Sequence, residues 1–290
     1  MKTCISLYSY WNLVKEHKMN HYEVMDEISR LGCDAVEFQI FDASVPEGKT
    51  MADYIRDLHA YAVKLGLDVP MLTMQANLYG PKAEEDFNRL CGLLDVASEC
   101  GIRFLRFDVT YSFLGTEPCR SYKAIIQSVA PHIRRLADYA EEKGVTVCSE
   151  NHGRIMQDSY RMEELFFAVN HRNYKLLCDI GNFGGADENS AVAVSKLLPH
   201  ICFVHAKDSI LRDGMMYDPG RGFGRSRGGE YRRSTIFGHG NVPTYQILRA
   251  IGTSGYDGYV SLEFEGIEEP KMAVEISMEN LKRMLADIEK

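Results

Sequence analysis

Glu150, Asp179, His205 and Glu263 each close a short β-like run: Val-Thr-Val-Cys-Ser-Glu150, Lys-Leu-Leu-Cys-Asp179, Ile-Cys-Phe-Val-His205 and Val-Ser-Leu-Glu263. Runs of this kind read as buried parallel strands with packed layers on both faces. A carboxylate or imidazole placed there is costly to desolvate unless it is paired or bound to a metal. Three oxygen donors and one nitrogen suit manganese or magnesium, and also zinc or cobalt. Any one strand-end carboxylate is more often a helix cap or an ion-pair partner. Four at successive strand ends point instead to one divalent-metal site at the mouth of a barrel.

The elements that must position these residues alternate along the chain. Strand-like runs fall near 3–7, 34–40, 67–74, 102–107, 145–150, 175–180, 201–206 and 259–264. Amphipathic stretches lie near 20–31, 51–65, 83–100, 119–143, 160–170, 188–198, 243–253 and 271–288. In the second of these, Met51, Ile55, Leu58, Ala62 and Leu65 recur at spacings of three and four. Gly32, Gly66, Gly101 and Gly144 each follow a helical stretch and precede a strand, where a short αβ loop places its glycine. Eight such units with no linker predict an α/β fold: a (β/α)8 TIM barrel forming a single domain over 1–290. A doubly wound open sheet is the weaker alternative, because no glycine fingerprint follows the first strand. Consecutive strands of a barrel lie side by side, so the four polar residues would form a contiguous arc.

One connection departs from this rhythm. Residues 207–241 show little periodicity and contain an arginine/glycine-rich run, with Arg221, Arg225, Arg227, Arg232 and Arg233. A long loop in a compact domain is usually functional or disordered. This one follows strand seven, on the side that carries barrel active sites. It could close over an anionic substrate, contact another subunit, or be a solvated mobile loop.

The bulk properties set limits. The 290 residues carry 33 Lys+Arg against 41 Asp+Glu, a net charge of −8 that argues against a general electrostatic grip on nucleic acid. The eight cysteines include no CxxC pair and read as reduced side chains of a cytoplasmic protein. The first residues carry no signal-peptide pattern, and there is no apolar run of about 18 residues, so no membrane partner is expected.

Five segments occur in order: Ser149-Glu150-Asn151-His152-Gly153, Cys178-Asp179-Ile180-Gly181-Asn182-Phe183, Val204-His205-Ala206-Lys207-Asp208, Gly238-His239-Gly240-Asn241-Val242-Pro243 and Leu262-Glu263-Phe264-Glu265-Gly266. As a set they resemble the sugar phosphate isomerase/epimerase family, with its xylose-isomerase-like TIM barrel, and are similar to ketose 3-epimerases and inosose dehydratases. The resemblance covers nearly the whole chain. It implies that Glu150, Asp179, His205 and Glu263 hold one divalent ion, Mn2+ first, with Mg2+, Co2+ or Zn2+ as alternatives. It also implies that Glu150 and Glu263 exchange protons with a small carbohydrate through an enediolate, whereas Asp179 and His205 serve as ligands only. A lyase acting on an inosose or 3-keto sugar through the same enolate is the alternative. The reading outside catalysis is a metal-stabilised sugar-binding or assembly subunit. Relatives are often dimers or tetramers, which makes a homo-oligomer an expectation.

Around the four, the substrate-binding candidates are His152, Lys207, Glu37, Trp11 and His239. His152 could meet substrate hydroxyls or orient Glu150. Lys207 is either an ammonium beside the enediolate or a solvated charge. Glu37 ends the second strand, as a substrate contact or a structural ion pair. Trp11, with Tyr8 and Tyr10, could wall a sugar pocket or pack at the rim. His239 stands where relatives frequently carry glutamate, in the pocket or in a tight turn. Asn182 replaces a histidine of multinuclear relatives, and Gln75 and Asp108 likewise lack one, which disfavours an abasic-site nuclease.

Overall fold

A computed structural model describes residues 1–118 and 120–289. The first residue of the helix expected over 119–143, and the last of the 1–290 domain, lie outside the described residues. Seven strands alternate with helices in the first two thirds: β1 (Lys2–Ser6), β2 (Ala35–Gln39), β3 (Met71–Met74), β4 (Phe104–Phe107), β5 (Thr146–Glu150), β6 (Tyr174–Asp179) and β7 (Ile201–Ala206). There follow β8 (Asp208–Arg212), β9 (Gly224–Arg225), β10 (Tyr231–Thr235) and β11 (Tyr259–Leu262). The helices are α1 (Trp11–Lys15), α2 (His21–Arg30), α3 (Met51–Lys64), α4 (Ala83–Glu99), α5 (Tyr122–Glu142), α6 (Ser159–Val169), α7 (Ser190–Leu197), α8 (Thr244–Thr253) and α9 (Pro270–Ile288).

Strands β1–β7 and β11 close into a parallel barrel, in the order β1-β11-β7-β6-β5-β4-β3-β2. The expected single-domain (β/α)8 barrel is the observed architecture. Its larger core lies between strands and helices, where α3 buries Tyr54, Ile55, Leu58 and Ala62. At the end of α5, Gly144 takes φ +71°, a left-handed turn that returns the chain to β5 without a Cβ clash. Among the described residues no helix is long and apolar enough to cross a membrane.

The barrel interior is built in tiers by the two-residue alternation of strands. A second, smaller apolar cluster takes one residue from nearly every strand: Cys4, Ala35, Met71, Cys148, Leu177, Phe203 and Tyr259, with Phe104 packed against it. Two residues further along each strand come Ser6, Glu37, Thr73, Arg106, Glu150, Asp179, His205 and Ser261, all buried. An apolar floor thus carries a complete polar ring.

Strand β7 contains one irregularity. Ile201 pairs with Leu176 but Phe203 with Leu177, so Cys202 is an extra residue relative to β6. This is a β-bulge, and beyond it His205 pairs directly with Asp179.

The 207–241 segment is not the irregular loop its sequence predicts. Strands β8, β10 and β9 form an antiparallel sheet in the order β8-β10-β9, with Asp208 paired to Thr235 and Arg212 to Tyr231. Much of this sheet is only half-buried, so its strands need no continuous apolar face and show none. Asp208 anchors the return of the chain: its carboxylate accepts from the N–H groups of Gly238, Gly240 and Val242 at 3.0, 2.8 and 3.2 Å.

Candidate metal centre

Glu150 and Asp179 end β5 and β6, His205 lies in β7, and Glu263 follows β11, held there by its N–H to Ala206 O at 3.2 Å. One ligand atom from each of the four lies within 4.8 Å of the others. Their exposures are 4, 0, 0 and 5% respectively.

The hydrogen bonds leave a donor set open toward this common centre. Asp179 Oδ1 accepts from the N–H groups of Gly181 and Asn182, at 2.8 and 2.9 Å. Its Oδ2 is buried without a hydrogen bond, although Lys207 Nζ stands 3.2 Å away. The separation permits an ionic attraction, but the angles do not make a hydrogen bond. His205 Nε2 faces the Glu37 carboxylate at 3.0 and 2.8 Å. That carboxylate also accepts from Thr73 Oγ1 at 2.6 Å and Ser261 Oγ at 2.7 Å. An acceptor so placed fixes the ring proton on Nε2 and leaves Nδ1 as the inward atom. Nδ1 has no hydrogen bond, and lies 3.6 Å from Glu263 Oε1 and 3.9 Å from Glu150 Oε1. Two orphaned buried polar atoms aimed into one hard-donor cluster fit a divalent ion.

The electrostatics are those of a cage of charges. Burial disfavours an imidazolium at His205, but Glu37 and Glu263 outweigh it and hold the group well above its ordinary value. Burial pushes Asp179 up to about 6, against the pull of Lys207. Burial also works against ionised Glu263, yet Lys207 and His205 prevail and keep it well below the usual carboxylate range. Lys207 is itself buried, with Glu263 Oε2 at 2.6 Å and Glu265 Oε2 at 2.9 Å, and burial is overcome by Asp179, Glu263 and Glu265 to keep it charged.

Glu150 belongs to a second network. Its Oε2 accepts from Arg106 Nη2 at 2.6 Å, and its Oε1 from Asn182 Nδ2 at 2.9 Å. The same Arg106 nitrogen donates to Asp108 Oδ1 at 2.7 Å. Asp108 also pairs with His152 Nδ1 at 2.9 Å and accepts from Tyr111 Oη. Burial raises Asp108, but Arg106 and His152 outweigh it and bring it down to about 2. Sequence reading missed Arg106 and gave Asp108 no role beyond the absence of a histidine there. The signal was a guanidinium inside the apolar run Phe104-Leu105-Arg106-Phe107, which needs a buried carboxylate partner.

The substrate-binding candidates separate. Lys207 and His152 line the space above the four residues. Glu37 does not border that space: it is fully buried beside His205 within the polar ring, where it orients the imidazole. Trp11 packs on Phe41, with ring centroids 4.3 Å apart, in a side cavity of about 140 Å3 shared with Tyr8 and Glu265. Tyr10 is wholly buried and lines no wall. His239 is exposed in the turn whose flanking glycines bind Asp208. A cavity of about 90 Å3 lies directly over Glu150 and Glu263, bordered by Tyr8, Gln39, Gln75 and Tyr111.

Known structures share this architecture. D-psicose 3-epimerase with D-tagatose from Clostridium cellulolyticum H10 aligns at 17% identity over 98% of each chain, with a TM-score of 0.72. The IOLI protein with a bound zinc atom aligns at 19% identity over 99% of this chain and 98% of its own, with a TM-score of 0.73. The probable 3-DHS dehydratase AsbF from Bacillus anthracis aligns at 16% identity over 97% of this chain and 99% of its own, also at 0.73. At these identities the likeness is one of fold. No curated protein matches the chain in sequence. The sequence profile of the family described as xylose isomerase-like TIM barrel matches residues 25–284, and the chain belongs to that family.

Proposed function

We propose that residues 1–290 form one catalytic domain, a divalent-metal-dependent isomerase or epimerase that moves a proton next to the carbonyl of a small carbohydrate. The observation that carries this reading is the pairing of Glu150 and Glu263: both enter the 4.8 Å cluster, and both border the same 90 Å3 cavity. The ligands would be Glu150, Asp179, His205 and Glu263, with Mn2+ first and Mg2+, Co2+ or Zn2+ as alternatives. When bound, the ion would supply Lewis-acid polarisation of the substrate carbonyl and its neighbouring hydroxyl.

The chain's own residues would do the rest. Lys207 and His205 keep Glu263 ionised, the state a base requires. One glutamate would remove the α proton, and the other, having taken up a proton from a substrate hydroxyl, would return it to the opposite face, the first proton passing back to that oxygen. Lys207, charged and 2.6 Å from Glu263, would face the negative charge that develops on the enediolate. His152 would bind substrate hydroxyls from the cavity wall. The likeness to an epimerase crystallised with a ketose supports the sugar reading, and seven described free cysteines support a reducing, cytoplasmic setting.

Glu263→Gln should retain metal yet lose α-proton exchange in deuterated water, on a panel of ketoses and keto-glycosides. Full exchange by that variant would sink the proposed role, and metal-dependent stability with no exchange by the parent would favour a non-catalytic barrel. A lyase reading has one specific support. Burial opposes a charged His152, but its bond to Asp108 prevails and raises it, which offers a proton to a leaving hydroxyl. Product mass separates the two, since dehydration loses one water.

A further inference from the structure

A cavity of about 470 Å3 opens above the metal centre, with Asn182 and Lys207 on its barrel side. Its outer wall carries Arg154, Arg225, Arg227, Arg232 and Arg233. Two of these guanidiniums are already matched: Arg227 Nη1 lies 2.6 Å from Asp158 Oδ2, and Arg233 Nη2 lies 3.2 Å from Glu268 Oε1. Among the described residues the other three are not. Arg232 donates only to neutral groups, Ser209 Oγ and Asn182 Oδ1, each at 3.2 Å. Arg225 donates to Gly214 O at 3.3 Å, Gly229 O at 2.7 Å and Tyr231 Oη at 2.5 Å, and lies over the Tyr231 ring. Arg154 is exposed, and its side chain joins no ion pair among the described residues.

The fold makes room for this wall. Gly185 packs against it so closely that a Cβ there would stand 2.9 Å from Arg232 Nη1 and 2.5 Å from Gln157 Nε2. Through Asn182, Arg232 is one side chain away from Glu150. Three guanidiniums without a carboxylate, in a chain of net charge −8, concentrate positive potential on one cavity wall. A guanidinium fork matches carboxylate or phosphate oxygens and gains little from a neutral polyol.

The geometry points to a substrate with two ends: a hydroxy-carbonyl end at Glu150 and Glu263, and an oxyanion, carboxylate or phosphate, held by Arg232 with Arg225 and Arg154. The identity of the first end rests on the proton-transfer reading above; the anion site does not.

Calorimetric titration of the Mg2+-supplemented protein with ribitol, ribonate and ribitol 5-phosphate tests it without turnover. At least one anion should bind about tenfold tighter than ribitol, and the tighter of the two assigns carboxylate or phosphate. Arg232→Gln, and separately the exposed Arg154→Gln, should weaken that anion by about threefold or more and leave ribitol unchanged. Equal affinity for all three probes, or an anion preference that survives the R154Q/R232Q double variant, would overturn the site. Absence of α-proton exchange with every carbonyl compound would overturn the enediolate reading alone, so the two failures are distinguishable.

Discussion

His205 Nε2 lies 2.8 Å from Glu37 Oε2, and both side chains are completely buried. Glu37 is the residue that decides which nitrogen of His205 faces the candidate metal centre. Glu37→Gln removes the charge while keeping a group of the same shape. Loss of such an orienting partner typically costs about 10–100-fold in metal affinity. Chelator competition on the folded variant should show a fall of that order, and unchanged affinity would refute the orienting role.

Asp179 sets a pH dependence in the metal-free protein. Its carboxyl is raised to about 6 by burial, above its ordinary value of 3.8. A raised acid favours its protonated form in the fold. The stability it lends is therefore full below the ordinary value and is lost as pH rises through about 6. Asp179→Asn cannot ionise. Its melting temperature relative to the parent, both without metal, should rise between pH 4 and pH 7 and then level off. A difference that is flat with pH would contradict this.

Metal binding should release protons. His205 is held in its charged form, burial notwithstanding, by Glu37 and Glu263, and a ligand nitrogen must be neutral. Affinity should accordingly increase with pH, and titrations in two buffers of different ionisation enthalpy should give different apparent heats. Free metal at about 100 times its dissociation constant should add roughly 2.7 kcal/mol of stability, seen as a raised melting temperature. Identical heats in both buffers would show that no proton leaves.

Arg106 is buried between two carboxylates, Glu150 at 2.6 Å and Asp108 at 2.7 Å. Arg106→Met takes the guanidinium from both and leaves Asp108 with His152 alone, and removing one partner of a buried ion pair costs about 3–5 kcal/mol. Urea unfolding should show a loss of that order. Adding Glu150→Gln to the Met variant should recover part of it, because one stranded charge is gone. Strictly additive losses would argue that the three residues do not act as a network.

The four centre residues were legible because each interrupts an apolar run at its end, a local signal that needs no partner to be noticed. The barrel was legible for a related reason: helix and strand periodicities alternate eight times, with glycines at the joins. Glu37 was noticed, as a substrate contact or an ion-pair partner, but its neighbour was not legible, since such a glutamate looks the same whether it meets substrate or supports a histidine 168 positions later. Placing it requires the tier it shares with Ser6, Thr73 and Arg106, which follows only from strand register. The β8–β10 sheet was hidden because its pairing lies across a glycine-rich connection and its residues face the mouth rather than a core. His239 and Trp11 depended on which way a loop turns, and their local sequence does not say.

The bulge at Cys202 governs more than strand pairing. Ile201 packs toward the helices, and strict alternation from there would turn Val204 inward and His205 outward. The extra residue reverses that parity, so Phe203 joins the apolar floor and His205 enters the polar ring. The one nitrogen donor of the candidate set thus owes its aim to a bulge whose extra side chain lies outside that set. A β7 of the same length without the bulge would put Val204 in the ring in place of His205 and leave Glu150, Asp179 and Glu263 where they are, so one local backbone distortion sets the composition of the candidate donor set.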